Sequence, residues 1–181
     1  IAQRTFNILK TSLSGVKGQI DDTSVTLTGK IATASTAQFS QTMYVQEMDR
    51  SSGIKVDLGA TPTTAIIGSL VTVTGTIQKV NGVRQINNPT VTVTGSGTAD
   101  PVSLINKSVG GEDFNVYTPG VTGGIGLNNI SLLIRAWGRV KYVGADYFYL
   151  DDGCTLLDGS GHAGIKVSCP GLTLPGPTQY V

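Results

Sequence analysis

Charge is scarce in this sequence. Lys, Arg, Asp and Glu make up 14% of its 181 residues, against roughly 25% in ordinary soluble domains. The formal net charge is +1, too small to build the long-range field that gathers nucleic acid or anionic membrane. No apolar run approaches the roughly 18 residues of a membrane-spanning helix. The single histidine, His162, and the two cysteines, Cys154 and Cys169, have no neighbours at zinc-type spacing. No G-x-S-x-G nucleophile motif occurs, and GGIGLNN (123–129) lacks the strand-to-helix setting of a phosphate cradle. Sustained helical periodicity is missing too. These gaps argue against an enzyme, a resident metal or a cofactor. The space is filled by 24 glycines with abundant Thr and Val, residues of turns and strands, so the composition is all-β. The chain opens on Ile1 rather than Met, which reads as a removed leader or a fragment.

A repeat organises what is there. Gly53-Ile54-Lys55-Val56 recurs as Gly164-Ile165-Lys166-Val167. Upstream, VTLTGKI (25–31) and MYVQE (43–47) match IRAWGRV (134–140) and FYLDD (148–152). Gly29-Lys30-Ile31 aligns with Gly138-Arg139-Val140, and Met43-Tyr44-Val45 with Phe148-Tyr149-Leu150. Strand alternation places Val25, Leu27, Gly29 and Ile31 on one side of the first strand. In the second copy it turns Ile134, Ala136, Gly138 and Val140 inward, leaving Arg135, Trp137, Arg139 and Lys141 outside. The inward glycines let a long strand bend around a small barrel. Asn81-Gly82 marks a type I′ hairpin between LVTVTGTIQKV (70–80) and VRQINNPTVTVTG (83–95). Pro89 marks an edge or bulge in the returning strand.

With these segments in hand, the chain resembles the OB-fold family, the five-stranded oligonucleotide/oligosaccharide-binding barrels, in the tandem form of exported bacterial proteins. The likeness rests on VTLTGKI, MYVQEMDRSSGIKV, GSLVTVTGTIQ and, in the second copy, IRAWGRV, YFYLDDG and GHAGIKV. It covers residues 20–95 fully and 130–170 in part. One departure stands out: a loop with Pro62 and Gly68 replaces the helix usual between the third and fourth strands. The resemblance implies two OB-like barrels in tandem, the second short of strands. Residues 1–15 then form an extended N-terminal segment, 16–97 the first barrel, 98–132 a Gly/Asn-rich bridge and 133–181 the second barrel. Phe114, Val116, Tyr117, Val121 and Ile125 are the side chains that would pin the bridge.

After Val167 the second copy has only SCPGLTLPGPTQYV, whose prolines make a poor central strand, although Gln179-Tyr180-Val181 has room to pair briefly. Unpaired backbone and open apolar surface are costly in water, so three remedies compete: the chain is a fragment, its own N-terminus patches the gap, or a neighbour's N-terminus does. The donor segment would be carried by Ile1, Thr5, Phe6, Ile8 and Leu9. The leading expectation is a non-enzymatic structural subunit of an extracellular or cell-surface assembly, a homo-oligomer or polymer forming a fibre or layer. The alternative is a module for single-stranded nucleic acid or oligosaccharide, with Arg135, Trp137, Arg139, Tyr147, Tyr149 and Lys166 as the binding face. Asp151-Asp152-Gly153 with Asp158-Gly159-Ser160-Gly161 reads as turns before it reads as a calcium loop. Pairing Asp152 with Gly164 sets Cys169 opposite Tyr147, so a Cys154–Cys169 disulfide, weighed equally against two thiols, requires the intervening loop to fold back. Asn106-Lys107-Ser108 and Asn129-Ile130-Ser131 match the glycosylation acceptor pattern.

Overall fold

In a computed structural model, residues 12–181 are described. The five donor positions Ile1, Thr5, Phe6, Ile8 and Leu9 lie outside them. Among the described residues no helix is long and apolar enough to cross a membrane.

The first half is a closed five-stranded barrel. Its strands are β1 (Ser24–Ala34), β2 (Thr42–Gln46), β3 (Gly53–Asp57), β4 (Ser69–Val80) and β5 (Val83–Ser96). They close in the order β1-β2-β3-β5-β4, with β3 and β5 parallel and the other pairs antiparallel. Period-two alternation fills the interior with Val25, Leu27, Met43, Val45, Ile54, Val56, Val71, Val73, Ile77 and Ile86, all fully buried. Each such side chain contributes about 1.5–3 kcal/mol relative to exposure. A helix too short to leave a periodic signal, α1 (Leu13–Lys17), adds Leu13 and Val16 to this core. Ser12 caps it by accepting from the Gly15 amide at 3.2 Å.

Two turn signals take the expected form. Asn81 and Gly82 have φ of 50° and 81° between the paired Val80 and Val83. Pro89 lies where the β4–β5 register shifts, between the pairs Thr74–Thr90 and Thr76–Asn87. No helix fills the loop between β3 and β4; Leu58 and Ala65 from that loop reach the core instead.

Strict alternation fails in β1. The β1–β4 register shifts between Leu27 and Lys30, where Gly29 takes φ 64°. The extra residue puts Ala32 in the core cluster and leaves Ile31 outside that cluster, beside Gly97. Lys30 is buried as well and reaches the Glu47 carboxylate at 2.6 Å.

The second half is an open sheet: β8 (Arg139–Val143), β9 (Tyr147–Asp151) and β10 (Ile165–Ser168), in the order β10-β9-β8. The strand expected over 134–140 is broken. Its start is β7 (Ile134–Arg135), which pairs in parallel with β6 (Val102–Ser103). At the break Gly138 passes so close to β9 that a Cβ would meet the Asp151 carbonyl oxygen at 2.5 Å.

The bridge is held by polar groups rather than by the side chains expected to pin it. Phe114, Val116, Val121 and Ile125 are exposed, while Tyr117 has a barrel residue over it, the Arg84 guanidinium 5.8 Å from its ring centre. Lys17 donates to the Ile130 carbonyl, and the Thr118 hydroxyl to the Lys17 carbonyl. Gln46 of β2 grips both ends of the bridge, donating to the Asp100 carbonyl and accepting from the Leu133 amide. A segment this rich in glycine has few side chains to bury, so backbone groups make its contacts.

Candidate assembly surface and aromatic face

The repeat extends to strand register. In the first copy Met43, Tyr44 and Val45 stand opposite Val56, Lys55 and Ile54. In the second, Phe148, Tyr149 and Leu150 stand opposite Val167, Lys166 and Ile165. Ala32 faces Val45 as Val140 faces Leu150, and each first strand then shifts register at the next residue, Thr33 or Lys141. The sequence alignment of the first strands was therefore one residue out, because it had no place for the extra residue at Gly29. The hairpin pairing of Asp152 with Gly164 was also one residue out, since Ile165 pairs with Leu150.

The correspondence reaches the C-terminus. Arg139 bridges Tyr180 as Ile31 pairs with Leu70. The Thr178 amide donates to the Val140 carbonyl as the Gly68 amide donates to that of Ala32. Both donors have positive φ, 67° for Thr178 and 88° for Gly68. Residues 178–181 thus stand where β4 begins in the barrel.

Burial separates the copies. Met43 and Val56 are 0% exposed, whereas their counterparts Phe148 and Val167 are only half-buried. They line a groove of about 640 Å³ with Leu172, Leu174, Pro175 and Val181. One wall is β10, whose outer edge pairs with no strand among the described residues; the other is the segment 178–181.

The opposite face of the sheet carries the aromatic residues. Tyr147, Tyr149 and Lys166 come together, with the Lys166 ammonium 4.0 Å from the Tyr147 ring centre. The sequence reading missed three of their neighbours. Tyr142 joins Tyr147 and Tyr149 because the register shift at Lys141 moves it onto their face. His162 stacks on Tyr142 at 3.8 Å. Asp158 accepts from the Tyr149 hydroxyl at 2.5 Å. Ser160 and Tyr149 hold the Asp158 carboxyl down to about 2, while the same bond to Asp158 raises the Tyr149 hydroxyl. No sequence motif joins these residues, since a loop between β9 and β10 delivers two of them.

The other members of the expected binding face lie apart. Trp137, 56% exposed, and Arg139 share a hollow of about 300 Å³ with Lys141, Asp151, Asp152 and Tyr180. Arg135 belongs to β7, beside Ser103.

Asp151, Asp152 and Cys154 bring potential metal-ligand atoms within 4.8 Å of one another. The two carboxylates already accept from the backbone amides of Gly153, Thr155, Cys154 and Asn106, and Lys141 lies 3.5 Å from Asp151. Asp158 is not in this group. Cys154 and Cys169 are both free. The Cys169 amide donates to Asp146, just before β9, whereas Cys154 follows the far end of β9. Five residues of strand, roughly 16 Å at 3.3 Å each, separate these anchor points, too far for a disulfide. Asn106 and Asn129, in the glycosylation patterns, are buried, and both side chains are hydrogen-bonded.

Comparison with family models, with curated proteins and with solved structures finds no match to this chain.

Proposed function

We propose that the chain is a structural subunit of an extracellular assembly, joined to its neighbours by strand exchange. In this reading both halves are OB-like: the closed order β1-β2-β3-β5-β4 with its parallel β3–β5 pair supports the first, and the shared register supports the second. The observation that carries the reading is the contrast in burial. Phe148 and Val167 occupy the positions of the fully buried Met43 and Val56, yet line an open groove beside a strand edge that pairs with no strand among the described residues. Such an edge invites pairing, and an added strand supplies both backbone partners and apolar cover. A sparse charge inventory suits close packing of many copies. Light scattering and electron microscopy of the full chain, beside a chain starting at Ser12, test this. The full chain should form polymers and the shortened chain should stay monomeric; polymers of equal length from both would refute the reading.

One observation favours a second reading, an oligosaccharide site at Trp137. An exposed indole beside cations and carboxylates combines a stacking face with hydrogen-bond donors and acceptors, while the carboxylates oppose a phosphate backbone. Trp137 is the sole tryptophan, so its fluorescence reports this hollow alone. A glycan ligand should shift the emission and lose affinity in Trp137→Ala; no spectral change with any glycan tested would remove the reading.

A further inference from the structure

The shared register gives strand exchange a defined geometry. The second sheet already contains counterparts of β1, β2 and β3, and residues 178–181 stand in for the start of β4. The strand with no counterpart among the described residues is β5. In the barrel, β5 runs parallel to β3, with Ile86 beside Val56, and its far end lies antiparallel to the start of β4, with Ser96 opposite Ser69. From Ile86 to Ser96 is eleven residues. Residues 1–11, which precede the described part of the chain, follow the same pattern: IAQRTFNILKT against INNPTVTVTGS. Ile1 falls on Ile86, Thr5 on Thr90, Phe6 on Val91, Ile8 on Val93 and Thr11 on Ser96. Ile86 is fully buried and Val91 packs against the core.

We infer that residues 1–11 of one copy fill the β5 position in the sheet of the next, parallel to β10 and antiparallel to residues 178–181. This rests on the strand-exchange reading and adds its partner, direction and register. Ile1 then lies beside Val167, Thr11 opposite Gln179, and Phe6 takes the place that Val91 holds against the barrel core. One inserted strand closes the ring β8-β9-β10, insert, 178–181, because β10 and the C-terminal segment form the two walls of the same groove. A single insertion therefore satisfies two edges at once.

Cys169, which lines the groove, provides the test. By the shared register it corresponds to Leu58, so a parallel insert places Gln3 nearest to it; a reversed insert places Leu9 there. The full chain carrying Cys154→Ser is combined with Gln3→Cys or with Leu9→Cys, allowed to assemble, and oxidised. Disulfide-linked ladders on a denaturing gel are expected from Gln3→Cys, with at least a tenfold lower yield from Leu9→Cys. Ladders mainly from Leu9→Cys, or polymers without a ladder from either, overturn the inference while leaving strand exchange standing. A disulfide confined to single chains shows the insert to be the molecule's own segment and overturns it. Failure of either variant and of the parent to polymerise overturns the strand-exchange reading itself.

Discussion

Lys17 occupies a site that suits its carbon chain better than its charge. The side chain is buried between α1 and the bridge, where its ammonium donates to the Ile130 carbonyl, and burial lowers its pKa to about 8. The unfolded chain keeps a value near 10.4. Between these values the unfolded state binds more protons than the folded one, so stability must rise with pH across that window. Below pH 8 both states carry the proton and the cost of the buried charge is felt in full. Urea titrations between pH 8 and 10 should show the midpoint climbing, and the climb should flatten in Lys17→Met. A midpoint that falls or stays level in the parent protein would contradict this account. The upper limit avoids the tyrosines: Tyr44, Tyr147 and Tyr149 are all raised above their ordinary value, so their ionisation works against folding only at higher pH.

At the scale of elements, the repeated tetrapeptide does two jobs that its glycine makes possible. Gly53 starts β3 while the bridge crosses over it, and a Cβ there would meet the Ser131 carbonyl oxygen at 2.2 Å. Gly53→Ala should push the bridge off the barrel at a cost of about 1–3 kcal/mol, measured by thermal melting and by faster proteolysis between residues 97 and 132. An unchanged melting temperature would mean that the bridge is not seated where Gly53 meets it.

The strands around this glycine were legible because alternation, turn residues and the repeat all agreed. What was not legible were the one-residue insertions. At Gly29 and Lys141 the sequence carries an extra residue that neither composition nor spacing announces, and each moved a predicted face. Ile31 stayed buried but moved from the main cluster to the side of Gly97, and Tyr142 joined the aromatic face. Helix α1 was also hidden, since five residues are too few to show a period. The candidate site was read in pieces. Tyr147, Tyr149 and Lys166 share one strand pair and were found together, whereas His162 and Asp158 arrive on a loop whose path no local pattern fixes.

For the molecule as a whole, the closed barrel and the three-stranded sheet share one hairpin register. Among the described residues the barrel buries its apolar side chains fully, whereas Phe148 and Val167 of the sheet line an open groove. Between them, Gln46 of the barrel holds both ends of the bridge leading to the sheet. The relation between halves is therefore set by hydrogen bonds to backbone rather than by a loose tether. The acid that follows Gln46 shows the same economy. Glu47 accepts from the first amide of α1, and its counterpart Asp152 accepts from the first amide of the short 3₁₀ turn Asn106–Ser108.

The Ser12 cap carries a mechanical corollary. Helical structure begins at Leu13, so under the proposed insertion Ser12 alone would join the inserted strand to the helix of the barrel that owns it. A filament linked in this way would lack joints. Bending it would require deforming a barrel, and its two tips would be chemically unlike, one offering a vacant cleft and the other a donor strand without an acceptor, so that growth would have a direction.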